Sequence, residues 1–332
     1  MHTLIMKQVD AFTTNPFSGN PAGVITEADG VTLEMMQKIA SEMNLSETAF
    51  VTMPESGDTM FRLRFFTPVE EVDMSGHVTI AVCYALIEEG RIPLMDGITK
   101  VFLGTNIGSM PIDIHFTSTE HRFHSGGGHE NGVALFVKGT NTGTLEKIMM
   151  HQPIQDSRPS SIPIGSIASI LGIDEIEIRR TGLPLEIIST GLDQLMIPVQ
   201  HKETILNMHP DLIKLNLLNR TNRIHTNHIF TLDTFHDDCI AYARHFAPAV
   251  GLWEDPGTGT AAAGLGTYLL RHGIITHGAM VMEQGKEMDS LTRILVEIDE
   301  SGGDSLSAWI GGVAITSLTR TIEVTSSEIV IV

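Results

Sequence analysis

A chain of 332 residues exceeds the commonest single-domain size, and 42% hydrophobic residues suffice for two folded cores, aliphatic ones because aromatics are only 5%. Its 21 basic and 40 acidic residues give a net charge of -19, which disfavours nucleic acid and anionic membranes but leaves room for a small anion held by local backbone dipoles. Two cysteines, Cys83 and Cys239, with no CxxC pattern, form no disulfide framework and fit a reducing, cytoplasmic setting.

The first residues, MHTLIMKQVDAF, lack a basic region followed by an apolar stretch, so no export leader is expected, and no run of about 18 apolar residues announces a membrane span. Leu4 to Phe12 reads as a strand and Pro16 to Val24 as a turn-rich lead into another. Thr32 to Met43 reads as a helix, with Thr32 as N-cap, Glu34 in the first turn, and Leu33, Met36, Ile39 and Ala40 on one apolar face. Ser46 to Val51 and Met60 to Phe66 return to strand character. Ser75 to Glu89 is a glycine turn and then an apolar helix that Gly90 stops. Strands are expected over Thr99 to Phe102, Gly108 to Phe116 and Gly132 to Val137, with His121 to Asn131 as a linker or loop.

Further on, Pro163 to Ile170 and Pro210 to Leu218 look helical, and Leu183 to Val199 is strand material around a GLD turn. Ile229 and Thr231 alternate into Asp233. Gly259 to Leu270 is a second strong helix, closed by Gly273. Ile294 to Ile298, Ala308 to Thr316 and Thr321 to Val332 read as strands, the last returning to the first domain. Many short strands with few long helices indicate an α+β fold without regular βαβ alternation.

The two strong helices echo each other. SGHVTIAVCYALIEEG (Ser75 to Gly90) and TGTAAAGLGTYLLRHG (Thr258 to Gly273) both open on a hydroxyl residue and glycine and close on glycine. Upstream, RFFTP (Arg64 to Pro68) matches RHFAP (Arg244 to Pro248). This points to a duplicated domain in which each half supplies a glycine turn at a helix start, where unpaired N–H groups can hold a carboxylate.

Candidate chemical groups gather near these turns. Glu47 in NLSETAF, flanked by Leu45, Ala49 and Phe50, suits a general base kept partly from water, although a surface acid needs no such role. His77 at a helix start is favoured as a neutral ring. Asp255 is read as an acceptor for the glycine turn or a proton carrier, and Thr258 and Thr260 as substrate contacts or helix caps. Phosphate-loop, HExxH and GxSxG patterns are absent. His121, His124 and His129, and the pair His225 and His228, fit no zinc spacing closely, so no metal is expected.

Five ordered blocks carry a resemblance that spans nearly the whole chain: VDAFTTNPFSGNPAGV (Val9 to Val24), MQKIASEMNLSETAFV (Met36 to Val51), LRFFTPVEEVDMSGHVTIA (Leu63 to Ala81), STGLDQLMIPV (Ser189 to Val199) and FAPAVGLWEDPGTGTAAAG (Phe246 to Gly264). Together they resemble the phenazine-biosynthesis PhzF-like family, whose fold is that of diaminopimelate epimerase. The resemblance implies two similar domains, each a curved mixed sheet wrapped around a central helix, with the active site in the cleft between them. From the chain's pattern these are expected at 1–122 plus a C-terminal strand at about 320–332, and at 123–319.

The resemblance further implies a proton-moving isomerase, commonly a homodimer, that acts on a cyclic dihydro-anthranilate-type acid without metal or organic cofactor. It makes Glu47 the catalytic glutamate, with His77 and Asp255 as its active-site partners. Thr260 stands where many relatives carry serine, and Gly76 and Gly259 look like backbone anion contacts. Ser75 and Thr258 occupy the positions where cysteine-dependent epimerases of this fold place two thiols, and Cys83 lies too far inside its helix to replace one, which disfavours two-thiol racemisation. Glu283-Gln284-Gly285 resembles the family's QG turn, but the run after it, KEMDSLTRILVEI, lacks the usual GRPS-like residues. The expected activity is isomerisation of a small cyclic or unsaturated carboxylic acid. A lyase or hydroxy-acid epimerase on the same fold, and a non-catalytic carboxylate-binding protein, stand as alternatives.

Overall fold

The computed structural model describes residues 2–54, 57–118, 132–136, 142–276, 278–299, 307–324 and 329–331. The chain divides into two compact units, Met1–Met150 with Gly311–Val332, and His151–Ile310.

In the first unit the elements run β1 (His2–Ala11), β2 (Asn20–Ile25), α1 (Leu33–Met43), β3 (Thr48–Thr52), β4 (Phe61–Phe66), β5 (Glu71–Val72), α2 (Gly76–Glu88), β6 (Gly97–Thr105), β7 (Gly108–Ser118), β8 (Val133–Phe136) and β9 (Thr142–Pro153). The second unit holds β10 (Asp156–Pro159), α3 (Ile164–Leu171), α4 (Glu175–Arg179), β11 (Glu186–Ser189), β12 (Asp193–Pro198), α5 (Lys202–Asn207), α6 (Leu212–Asn222), β13 (Thr226–Thr231), β14 (Ala241–Ala247), β15 (Leu252–Asp255), α7 (Gly259–Arg271), β16 (Ala279–Gln284) and β17 (Thr292–Asp299). β18 (Ser307–Gly312) leads back into the first unit, where β19 (Ala314–Val324) and β20 (Ile329–Ile331) end the chain. These elements form the mixed α+β architecture expected.

The unit boundaries differ from those expected at 122 and 319, and strand pairing explains why. β9 runs antiparallel to β7, with Met150 opposite Ile112, so the chain stays with the first unit through Met150. On the return, β19 pairs with β1 from Ala314 opposite Ala11 onward. The loop expected at His121 to Asn131 lies outside the described residues, as do His121, His124 and His129.

Each unit's sheet can be followed by its pairings. In the first, β1–β2 is antiparallel, β2–β3 parallel, β3–β4 and β4–β5 antiparallel, β4–β6 parallel and β6–β7 antiparallel. In the second, β11–β12 is antiparallel, β12–β13 parallel, β13–β14 and β14–β15 antiparallel, β14–β16 parallel and β16–β17 antiparallel. The two successions are the same in kind and order.

Both central helices are buried almost all round, which requires apolar or small residues on every face. In α2 the run from His77 to Ile87 is buried without a break. Each fully buried Val, Leu or Ile there contributes about 1.5–3 kcal/mol. In α7 the buried run is Ala261 to Leu269, and its small residues let strands approach closely. A Cβ on Gly264 would meet Met196 Cε at 2.7 Å. The stripped sequence after Asp255 is therefore in part a packing requirement.

α1 starts as expected, with the Thr32 hydroxyl accepting from Met35 N–H and Asn44 closing it in the left-handed region. Met36, Ile39 and Ala40 are buried, but Leu33, at the first helical position, is exposed, a correction to the expected apolar face. The expected strand Ala308 to Thr316 is two strands, broken at Val313. β14 escaped the sequence reading because all seven residues, including Arg244 and His245, are buried, so its burial follows no alternation.

Among the described residues no helix is long and apolar enough to cross a membrane. Both cysteines are free. Burial pushes the Cys83 thiol up to about 12, so it is inert at neutral pH.

Candidate active site

The start of α2 gathers three of the expected residues. Glu47 lies just before β3, and its C=O accepts from Gly23 N–H at 3.1 Å, which ties it to β2. Gly23 permits this approach, because a Cβ there would sit 2.6 Å from Thr48 Oγ1. Ser75 holds the N-cap position of α2 but makes no side-chain cap bond. Its hydroxyl instead donates to Glu47 Oε2. His77 Nδ1 lies 3.7 Å from that same oxygen and 3.5 Å from Ser75 Oγ. The other ring nitrogen, Nε2, is 3.3 Å from Ser46 Oγ, and that hydroxyl donates to Pro21 C=O at 3.4 Å. The tautomer with Nε2–H donating to Ser46 leaves Nδ1 facing Ser75 and Glu47.

Ser75 and His77 are buried, whereas the Glu47 side chain keeps 21% of its surface open. A carboxylate in this setting is shielded yet reachable, as an acid that exchanges a proton with a ligand must be. The first intrahelical bond of α2 is Thr79 N–H to Ser75 C=O, so the N–H groups of Gly76, His77 and Val78 precede the ladder.

The start of α7 is built on the same plan. Thr258 is the N-cap residue and also makes no cap bond with its side chain; its hydroxyl donates to Asp255 Oδ2. Asp255 ends β15 and is buried. Gln284, at the end of β16 and itself buried, locks this turn. Its Nε2 donates to Asp255 C=O at 2.6 Å and to Thr258 Oγ1 at 3.1 Å, and its Oε1 accepts from Thr258 N–H at 3.2 Å. Thr292 Oγ1 adds contacts at 3.0 Å to Pro256 C=O and 3.1 Å to Gln284 C=O. Gly257 is required by this closeness, since a Cβ would meet Thr292 Cγ2 at 2.6 Å. The ladder of α7 begins with Ala262 N–H to Thr258 C=O, so the N–H groups of Gly259, Thr260 and Ala261 precede it. Thr260 is partly exposed, and its C=O accepts from Gln194 Nε2 at 3.2 Å and Thr190 Oγ1 at 3.4 Å.

Behind each turn an arginine holds a glutamate with two bonds. Arg64 grips Glu71 at 2.9 and 2.8 Å, and Arg244 grips Glu254 at 2.7 and 2.9 Å. Planar two-point pairs of this kind fix orientation as well as charge. The arginines are the ones matched between RFFTP and RHFAP.

Sequence reasoning singles out Glu47, Ser75, Gly76 and His77, and separately Asp255, Thr258, Gly259 and Thr260, and the structure brings each set together within its own unit. It missed the roles of Ser46, Gln194, Thr190 and Thr292. Gln284 belongs to a QG turn legible in the sequence, but nothing local says that it reaches a turn 26 residues away. The paired histidines do not share a ligand position. His225 Nδ1 accepts from Asp193 N–H at 3.0 Å, while His228 Nδ1 is 3.3 Å from His245 Nδ1 in a buried pair. Burial lowers His245 to about 4 against the opposing pull of Asp255, and burial with the neighbouring ring holds His228 well below its usual value.

The model of the phenazine biosynthesis-like protein family, PhzC-PhzF, matches residues 9–320. The chain belongs to this family. It is 30% identical over 316 residues to the uncharacterised isomerase YfhB of Bacillus subtilis, covering 95% of this chain and 97% of that one. It is 28% identical over 319 residues to the trans-2,3-dihydro-3-hydroxyanthranilate isomerase of Pseudomonas aeruginosa, covering 93% and 94%. Among solved structures, the Bacillus anthracis phenazine biosynthesis protein of the PhzF family superposes with a TM-score of 0.81 at 28% identity, over 98% of this chain and 100% of that one. Both of these curated relatives are named isomerases.

Proposed function

We propose that this PhzF-like chain is a proton-transfer isomerase for a small cyclic or unsaturated carboxylic acid, and that Glu47 carries the proton. The observation that bears most weight is the grouping of Glu47, Ser75 and His77 at the start of a buried helix. There a carboxyl, a hydroxyl and an imidazole meet, with His77 Nδ1 3.7 Å from Glu47 Oε2 and 3.5 Å from Ser75 Oγ. In the proposed reaction Glu47 takes a proton from carbon, exchanges it with solvent through its open edge, and delivers a solvent-derived proton elsewhere along the conjugated system. Ser75 and His77 keep the carboxylate oriented and share the charge as it changes.

We read the matching order of strand pairings as the trace of an internal duplication, and infer that the N–H groups at each helix start are suited to a carboxylate. The N–H groups of Gly76, or those of Gly259 and Thr260, would then hold a carboxylate, with Asp255 and Thr258 positioning a ring substituent. Holding the reacting C–H about 3–3.5 Å from Glu47 supplies much of the rate enhancement. A homodimer belongs to this proposal and is read by light scattering.

The test begins with trans-2,3-dihydro-3-hydroxyanthranilate, the compound in the relative's name, and extends to other dihydro-aromatic, cyclic amino and hydroxy acids, each followed by NMR in D2O. Isomerisation moves a double bond and incorporates deuterium with no loss of water. Water loss would identify a lyase, and inversion at one carbon an epimerase. Saturable binding without deuterium uptake would identify a carboxylate-binding protein and overturn the proposal.

A further inference from the structure

Away from both helix starts, the loop joining β13 to β14 brings together a second set of donor atoms. His236 and Cys239 stand in it three residues apart, and Cys239 N–H donates to His236 C=O at 3.1 Å, closing a turn. Ile240 N–H then donates to Val281 C=O at 2.9 Å and lays the loop along β16, which carries Glu283. The Glu283 side chain is fully buried. Its Oε2 accepts from Phe235 N–H at 2.8 Å and its Oε1 from His236 Nδ1. A ring nitrogen of His236, Cys239 Sγ and a carboxylate oxygen of Glu283 all lie within 4.8 Å of one another.

We propose that His236, Cys239 and Glu283 form a binding site for one Zn2+ ion. The donor set of one nitrogen, one sulfur and one oxygen suits this borderline-soft cation, with water in the fourth tetrahedral position. Charge favours it as well. A thiolate and a carboxylate carry two negative charges, which the ion balances, and a fully buried carboxylate is costly unless its charge is shared. Asp238 Oδ1 lies 3.7 Å from Cys239 Sγ, but Asp238 is engaged with Arg293, so water takes the remaining position. The protons balance simply. The thiol proton leaves to solvent, and the proton between His236 and Glu283 gives way to the metal as the ring carries its proton on Nε2. The His236 side chain is half-exposed and has room to draw back to metal-bonding distance.

Successive residues on a strand point to opposite faces, so the ion would brace β16 from the face opposite Gln284, which locks the Asp255–Thr258 turn. Its role is to stiffen that strand, independently of the proton chemistry.

The test titrates chelator-treated, reduced full-length protein with Co2+ and follows the thiolate-to-cobalt charge-transfer band, then displaces Co2+ with Zn2+. One Co2+ per chain with that band is expected. Cys239→Ser should lose the band and at least about a hundredfold in affinity, and His236→Ala should also bind more weakly. In the wild type, Zn2+ should protect Cys239 from alkylation, located by mass spectrometry, which gives a result even if a variant misfolds. Wild-type protein that takes up no stoichiometric ion, alkylation of Cys239 unaffected by Zn2+, or equal uptake by folded Cys239→Ser would overturn the site.

Discussion

The starts of α2 and α7 use one device with different reach. In both, the N-cap hydroxyl leaves the helix uncapped and donates to a carboxylate. At α2 that carboxylate is Glu47, 28 residues upstream and just before β3, partly open and joined by an imidazole. At α7 it is Asp255, three residues away, buried and clamped through its own backbone by Gln284. A group that exchanges protons needs access and a partner that shares its charge, whereas a group that orients a ligand needs rigidity. In the proposed function this contrast suits Glu47 to carrying the proton and Asp255 to anchoring a ligand.

The strongest way to break that contrast is Glu47→Gln, which keeps size and removes the basic oxygen. It should lower kcat by about 10²–10⁴-fold while the far-UV CD spectrum and melting temperature stay close to wild type. Asp255→Asn should act on binding more than on chemistry, raising KM for the same substrate. Equal kcat losses in the two variants would erase the proposed division of roles.

Gln284→Ala removes three hydrogen bonds from a buried turn, each with a net contribution of about 0.5–1.5 kcal/mol. We expect a loss of about 2–4 kcal/mol in urea unfolding, a penalty with no counterpart at the α2 turn. A smaller effect follows from the buried histidine pair. His228 and His245 remain neutral in the fold below their unfolded pKa of about 6.5, while the unfolded chain takes up protons there. Stability should therefore be full above that pH and fall as the pH drops toward 4, with His245 contributing about 3 kcal/mol at the lower end. Urea midpoints measured from pH 7 to 4.5 should fall, less steeply in His245→Gln. The smallest effect is expected from Ser75→Ala, about tenfold in kcat with the helix intact, because this hydroxyl does not cap α2.

Sequence legibility follows the same division. Residues next to a helix start could be read because SGH and TGT announce both the turn and the groups beside it. Glu47 stands out in the sequence because it adjoins an apolar strand and lies in a family block, although its Ser75 contact is long-range. Gln284, Thr292 and Gln194 were illegible as partners, since each acts through contacts set only by strand register. β14 was illegible for another reason. A strand buried on both faces shows no alternation, and its charges, Arg244 among them, are held by partners that no local pattern names. The change of unit within β9 likewise depends on pairing with β7 and not on a linker-like composition.

The most direct measurement is deuterium transfer by wild type and Glu47→Gln with one substrate that both bind. Wild type should place solvent deuterium on the product carbon at the rate of turnover. Glu47→Gln should bind the acid with similar affinity and incorporate almost none, and incorporation by that variant at the wild-type rate would contradict the account.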